Sequence, residues 1–208
     1  LGFAELLEDS DLSQEERGDF ASRIQQSGDY LLNLMNELLD VARLQVEESL
    51  TLKKTDLNKI LTSSLVNLEP SAVFKHISLD FVDMSQGSPI EVYINAGAMK
   101  RVVNNLVSNA IKFSHEGASV KITISSPNPK LVTLSFQDFG IGIPKDKLHL
   151  VFDKFTKAGQ KGTQGEKSTG LGMHITKNLV EKMHGIIEVD STEGTGTTFS
   201  IGFPLDPH

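Results

Sequence analysis

Apolar residues near the start of the chain recur at helical spacing. Ile24, Leu31 and Leu38 stand seven apart, Met35 and Ala42 fill the interleaved positions, and Gly28 is the weak member of the row. This three-and-four alternation predicts one long helix, running to about residue 47, with a seam for another helix. Its start is marked by Ser13-Gln-Glu-Glu16, where Ser13 can accept from the Glu16 backbone N–H while the Glu16 side chain reaches back. Before it, residues 1–9 (LGFAELLED) read as the last turns of another apolar-faced helix, followed by a break at Ser10-Asp11-Leu12. The seam has two possible uses: covering the core of its own domain, or pairing a helical hairpin with a second copy in a four-helix bundle.

After Glu47-Glu48 the pattern changes. Residues 56–68 read as a helix begun by Thr55 or Asp56. Ile77, Leu79 and Phe81 alternate with polar neighbours, as do Val92 and Ile94, and both stretches predict strands. Asn95 can cap the helix that follows. Residues 120–125 and 131–137 read as antiparallel strands joined by Pro127-Asn128-Pro129, and 145–151 as a short helix after Pro144. The lysine- and glycine-rich stretch 156–169 has no apolar anchor and predicts a mobile loop. A helix over 171–183 and strands over 186–190 and 197–203 complete an α+β sandwich, a mixed sheet with helices on one face.

The chain lacks cysteine, which excludes disulfides, thiolate catalysis and zinc–thiolate sites. A net charge of -7 without a basic, aromatic-laced stripe argues against nucleic acid as a partner. No run of about 18 apolar residues and no leader pattern occurs, so no membrane contact is expected from this stretch, although a longer parent protein can be anchored.

Four polar or glycine-bearing segments carry the candidate chemistry. Asn105 and Asn109 share one helix face with Lys112 close by. Amide oxygens suit a hard cation such as magnesium, and the lysine suits phosphate as a point charge. Asp138 closes a strand and can accept from an exocyclic amine such as that of adenine, while Gly140 and Gly142 would let the backbone approach a flat ring. Thr169-Gly-Leu-Gly-Met173 opens a helix, whose N-terminal amides can hold an anion, with Lys157, Lys161 and Lys167 in the preceding loop. Gly194-Thr-Gly-Thr197 precedes the last strand and places Thr197 to bond the base side of a nucleotide. Each segment alone also reads as a turn or a solvated face; their joint order argues for one magnesium–ATP site. The Asp-Phe-Gly triplet is not a eukaryotic protein kinase signature here, because the glycine-rich loop with its strand lysine and the HRD-type loop are missing upstream.

At this point the chain resembles the sensor histidine kinases of two-component systems, within the Bergerat-fold (GHKL) ATPases that include gyrase, the heat-shock chaperone of about 90 kDa and MutL. NLVSNAIKFS resembles the N box, DFGIGIP the G1 box, VFDKF the F box, STGLGM the G2 box and GTGTTF the G3 box. LLNLMNELLDVARL is similar to the second helix of the dimerisation and histidine-phosphotransfer domain. The resemblance implies a partial helical hairpin domain over 1–50 and a catalytic ATP-binding domain over 51–208. It implies that Asn109 ligates Mg2+, that Asn105 assists at the phosphates, and that Lys112 and Lys154 contact phosphate oxygens. Asp138, with Gly140, Gly142, Ile143 and Thr197, would recognise adenine. Gly170, Leu171, Gly172 and Met173 would cradle the phosphates, and Phe152 and Phe155 would anchor the start of the lid.

The implied reaction moves the ATP γ-phosphoryl group to a histidine and afterwards to an aspartate of a response-regulator receiver domain. A homodimer through the 13–47 helix and a cytoplasmic location, with a parent protein that can sit in the inner membrane, complete the expectation. Two departures stand out. Asn95 replaces the usual Asp, and either residue caps a helix. The family's acceptor histidine lies on the first hairpin helix, but the six histidines here are at 76, 115, 149, 174, 184 and 208. His115-Glu116 lacks helical flanks, so the acceptor is expected upstream of Leu1. A hydrolase of the same fold is the first rival, and its relatives carry a glutamate base at the Asn105 position. The second rival is a non-catalytic nucleotide-binding dimerisation module.

Overall fold

Ser13 closes its predicted capping box: its Oγ accepts from the Glu16 N–H at 3.2 Å, and its own N–H donates to Glu16 Oε2 at 2.9 Å. In this computed structural model, residues 2–7, 12–46, 49–84, 89–128, 130–156, 162–166 and 168–205 are described. The chain divides into two units, Leu1–Arg43 and Leu44–His208. The first unit holds helix α1 (Gly2–Leu6) and most of α2 (Gln14–Val46). Leu31, Leu32, Met35, Leu38 and Leu39 are exposed along α2, so the periodic seam forms a broad apolar stripe rather than a buried face. The end of the first predicted helix and Glu47-Glu48 lie outside the described residues.

The second unit runs β1 (Lys53–Asp56), α3 (Leu57–Phe74), β2 (Ser78–Asp83), β3 (Glu91–Ile94), α4 (Ala96–Phe113), β4 (Ser119–Asn128) and β5 (Leu131–Asp138). A 3-10 helix (Lys145–Leu150), α5 (Gly172–Lys182), β6 (Ile186–Thr192) and β7 (Gly196–Pro204) follow. The main sheet has the order β2-β4-β5-β7-β6, with β2 parallel to β4 and the other pairs antiparallel. Along β5, Val132, Leu134, Phe136 and Asp138 are buried and alternate with half-buried partners, the period-two signature of a sheet with one covered face. Helix α4 packs against both α3 and α5, and all three lie on the sheet. The mixed sheet with helices on one face is therefore as expected, while the pairing of β1 with β3 in a separate ribbon is an addition.

Helix α4 positions the site. Met99, Val102, Val103, Leu106, Val107 and Ala110 are buried at three-and-four spacing, so Asn105, Ser108, Asn109 and Lys112 necessarily fall on its other side. Each fully buried aliphatic side chain contributes about 1.5–3 kcal/mol, which ties the polar face firmly to the core. Asn95 caps this helix, accepting from the Ala98 N–H at 2.9 Å. Helix α3, capped by Asp56 rather than Thr55, runs past residue 68 to Phe74 and through Pro70. Pro70 and Val66 are exposed, so the carbonyl left without its proline donor sits on the water side, while Ala72 continues the buried face. Strand β4 extends to Asn128, beyond its expected end, with a register shift between Ser125 and Asn128 next to Pro127. Among the described residues no helix is long and apolar enough to cross a membrane.

Candidate functional site

Asp138 ends β5 with its carboxylate buried. Its Oδ1 accepts two backbone N–H groups, from Gly140 at 3.0 Å and from Thr197 at 3.2 Å. No described residue bonds Oδ2. Burial raises its pKa from the ordinary 3.8 to about 6, against the lowering pull of those two bonds. The group is therefore mainly ionised at neutral pH, with one oxygen held by the fold and the other available as an acceptor.

Around this carboxylate the G1 and G3 segments are stitched into one layer. The Thr197 and Ser191 hydroxyls lie 2.9 Å apart, and Ser191 Oγ also accepts from the Ile143 N–H at 2.8 Å and donates to the Gly196 carbonyl at 2.8 Å. Ser191 is thus the hub that sequence reasoning missed, because a serine in mid-strand carries no motif. Gly140 and Gly142 also make room for the protein's own backbone. A Cβ on Gly140 would lie 1.9 Å from the Phe113 carbonyl, and one on Gly142, which has φ +63°, 2.1 Å from the Thr192 carbonyl. Their bare backbones allow close approach by the protein's own chain: Gly140 bridges Ser114, and Ile141 donates to Phe113 at 3.2 Å.

The N-box face meets the G2 helix directly. Asn105 Nδ2 donates to the buried Thr176 Oγ1 at 2.7 Å, and Asn109 Nδ2 lies 3.4 Å from Asn105 Oδ1. A Cβ on Gly172 would come within 2.6 Å of Asn105 Oδ1, so any larger residue here would push the Asn105 amide aside. Leu171 is fully buried and Met173 half-buried, and the N-cap position has no side-chain bond, so among the described residues first-turn amides of α5 remain open donors. Lys112 Nζ donates to Ser168 Oγ at 2.9 Å and lies 5.5 Å from the Phe113 ring centre.

The F box joins at its two phenylalanines. Phe152 packs edge-on against Phe199, with ring centres 6.3 Å apart, and Lys177 Nζ lies 5.5 Å from its ring centre. Asn178 Nδ2 donates to His174 Nε2 at 3.1 Å, which makes Nδ1 the protonated nitrogen that donates to the Phe152 carbonyl at 3.1 Å. Phe155 has φ +54°, a strained value for an aromatic residue, and its N–H donates to the Gly170 carbonyl at 3.1 Å, closing the mouth of the loop. Phe155 and Lys154 are exposed, and Lys154 forms no hydrogen bond or ion pair among the described residues.

Lys157, Lys161 and Lys167 lie outside the described residues, but 162–166 are tied down where a mobile loop was expected. Thr163 donates from its N–H to the Lys112 carbonyl at 3.2 Å and from Oγ1 to the Ser114 carbonyl at 2.7 Å. His115 is exposed just after α4.

A family profile, the histidine kinase-, DNA gyrase B- and HSP90-like ATPase, matches residues 94–207, and the His Kinase A (phospho-acceptor) domain matches 1–47. The chain belongs to this ATPase family, on its sensor histidine kinase branch. The sensor histidine kinase GacS of Pseudomonas protegens is 34% identical over 99% of the chain, which spans 23% of that protein's length. Full-length ShkA in complex with AMPPNP superposes with a TM-score of 0.72 at 30% identity, covering 97% of this chain and 41% of ShkA. The histidine kinase ThkA in complex with the response regulator protein TrrA has a TM-score of 0.73 over 99% of this chain and 56% of ThkA; at 21% identity it shows the likeness of fold.

Proposed function

We propose that this chain is the ATP-binding core of a sensor histidine kinase, comprising part of a dimerising helical domain over 1–50 and a catalytic domain over 51–208. The observation that carries the reading is Asp138, a buried carboxylate with Oδ1 committed to the fold and no described partner at Oδ2. Such a group suits the exocyclic amine of adenine, and the ATP analogue in ShkA is in keeping with it. Gly142, Ile143 and Thr197 frame the base, the open amides of Gly172 and Met173 face the phosphates, and Lys112 and Lys154 add positive charge.

The residues fit a magnesium ion. Among the described residues no three carboxylate or imidazole side chains converge, and the donor present is a neutral amide, Asn109, whose oxygen has no described hydrogen bond. That suits a cation that takes its other ligands from water and phosphate oxygens. When bound, Mg2+ neutralises charge on the phosphates. This chain's own residues position the nucleotide and exclude water, and a histidine imidazole of the helical domain forms the N–P bond as the γ-phosphorus parts from its bridging oxygen and ADP leaves. Asn105 is an amide and takes no proton from water, which disfavours hydrolysis.

Homodimerisation through the exposed α2 stripe, relay to a receiver-domain aspartate and a cytoplasmic setting belong to the same proposal; ThkA's complex with TrrA is in line with the second. Calorimetric titration with AMPPNP and Mg2+ tests it. The unmodified chain binds and Asp138→Asn does not; absence of binding by the unmodified chain overturns the reading.

A further inference from the structure

Lys75 lies at the C-terminus of α3, outside every nucleotide motif, yet its side chain is only 4% exposed. A buried ammonium needs charge-assisted partners. It has two: the Lys112 carbonyl at 2.6 Å and Glu166 Oε1 at 3.0 Å. Glu166 sits in the loop before Gly170. Burial opposes its ionisation, but its own backbone N–H, the Lys75 ammonium and the Gln164 N–H outweigh this and hold its pKa below the ordinary value. The segment that Glu166 ends packs over Lys112. The Gly162 N–H donates to the Glu166 carbonyl at 2.9 Å, a Cβ on Gly162 would come within 2.8 Å of Lys112 Cγ, and Ser168 Oγ receives Lys112 Nζ. One ion pair therefore clamps both the backbone and the stem of Lys112.

We propose that the Lys75–Glu166 pair is a positioning device for Lys112. It locks residues 162–166 over the lysine stem so that the ammonium is held ready for the nucleotide phosphates. The inference rests on the nucleotide site proposed above. A free lysine loses much rotamer freedom when it meets a ligand, and the clamp removes that freedom beforehand.

The test pairs AMPPNP–Mg2+ calorimetry with ligand-observed NMR of adenosine, which carries no phosphate and reports the Asp138 end alone. Glu166→Ala lies at the more exposed partner and leaves the Lys75 ammonium only the Lys112 carbonyl, so its fold is checked by circular dichroism; it weakens AMPPNP binding about tenfold, the loss expected for one charge-assisted hydrogen bond. Adenosine binding is unchanged. Lys75→Met gives the same loss, the double variant loses no more than either single one, and Lys75→Arg restores most of the affinity. AMPPNP binding by Glu166→Ala as tight as that of the unmodified chain overturns the proposal, as does an equal loss for adenosine and AMPPNP. If the unmodified chain binds neither ligand, the nucleotide-site reading falls as well.

Discussion

Replacing Asp138 with asparagine separates what this residue does for the fold from what it does for a ligand. The raised pKa of Asp138 means that the folded chain holds a proton more tightly than the unfolded one. Below pH 3.8 the carboxyl is neutral in both states and folding is not penalised. As pH rises from 3.8 to about 6 the unfolded chain ionises first, and at about 1.4 kcal/mol per pH unit the penalty grows to about 3 kcal/mol, then stays constant. Asparagine keeps an Oδ1 that accepts from the Gly140 and Thr197 N–H groups, so both hydrogen bonds survive while the buried charge goes. The variant should therefore be more stable than the parent by about 1–3 kcal/mol at pH 8 and nearly equal to it at pH 4. Urea unfolding followed by far-UV circular dichroism at the two pH values measures this, and comparing the same pair at each pH cancels every other titrating group. A variant no more stable at pH 8, or one whose advantage persists unchanged at pH 4, would refute the desolvation argument.

Other substitutions probe other joints. Gly140→Ala drives a Cβ into the Phe113 carbonyl, backbone against backbone, and should cost about 3 kcal/mol in denaturant unfolding. Gly194→Ala, with φ +76° and open space, should cost only about 1 kcal/mol, from strain alone. Thr176→Val strands the Asn105 amide donor and should destabilise the fold by about 1–2 kcal/mol; an unchanged unfolding midpoint would show that the 2.7 Å bond contributes nothing. Asp56→Ala removes the α3 cap and should cost about 1 kcal/mol, read from the same unfolding curves.

Much of this architecture is legible in the chain because periodicity and polarity agree. The apolar positions of α4 put the N-box asparagines on the opposite face, and alternation along β5 delivers Asp138 to a covered strand end. The ribbon of β1 is not legible, since Lys-Lys-Thr-Asp has no apolar alternation and is defined by pairing with β3. The path of α3 through Pro70 is hidden because proline's missing donor matters little where the orphaned carbonyl faces water. Ser191 (through Ile143), Thr176 (through Asn105) and the Lys75–Glu166 pair escape for a common reason: each acts through a partner far away in sequence, and no local pattern encodes that meeting.

The clasp between Phe155 and Gly170 has a consequence for loop length. Because the Phe155–Gly170 backbone hydrogen bond brings the two ends of 156–169 together, the closure of that stretch is already fixed at its base. Doubling its length adds only about 0.6 kcal/mol of closure entropy, a small sum beside the packing of Phe152 on one side and Leu171 on the other. Residues inserted between Thr156 and Gly162, apart in sequence from Glu166, should thus leave the sheet and its carboxylate undisturbed, making this stretch the natural place to graft a fluorescent reporter.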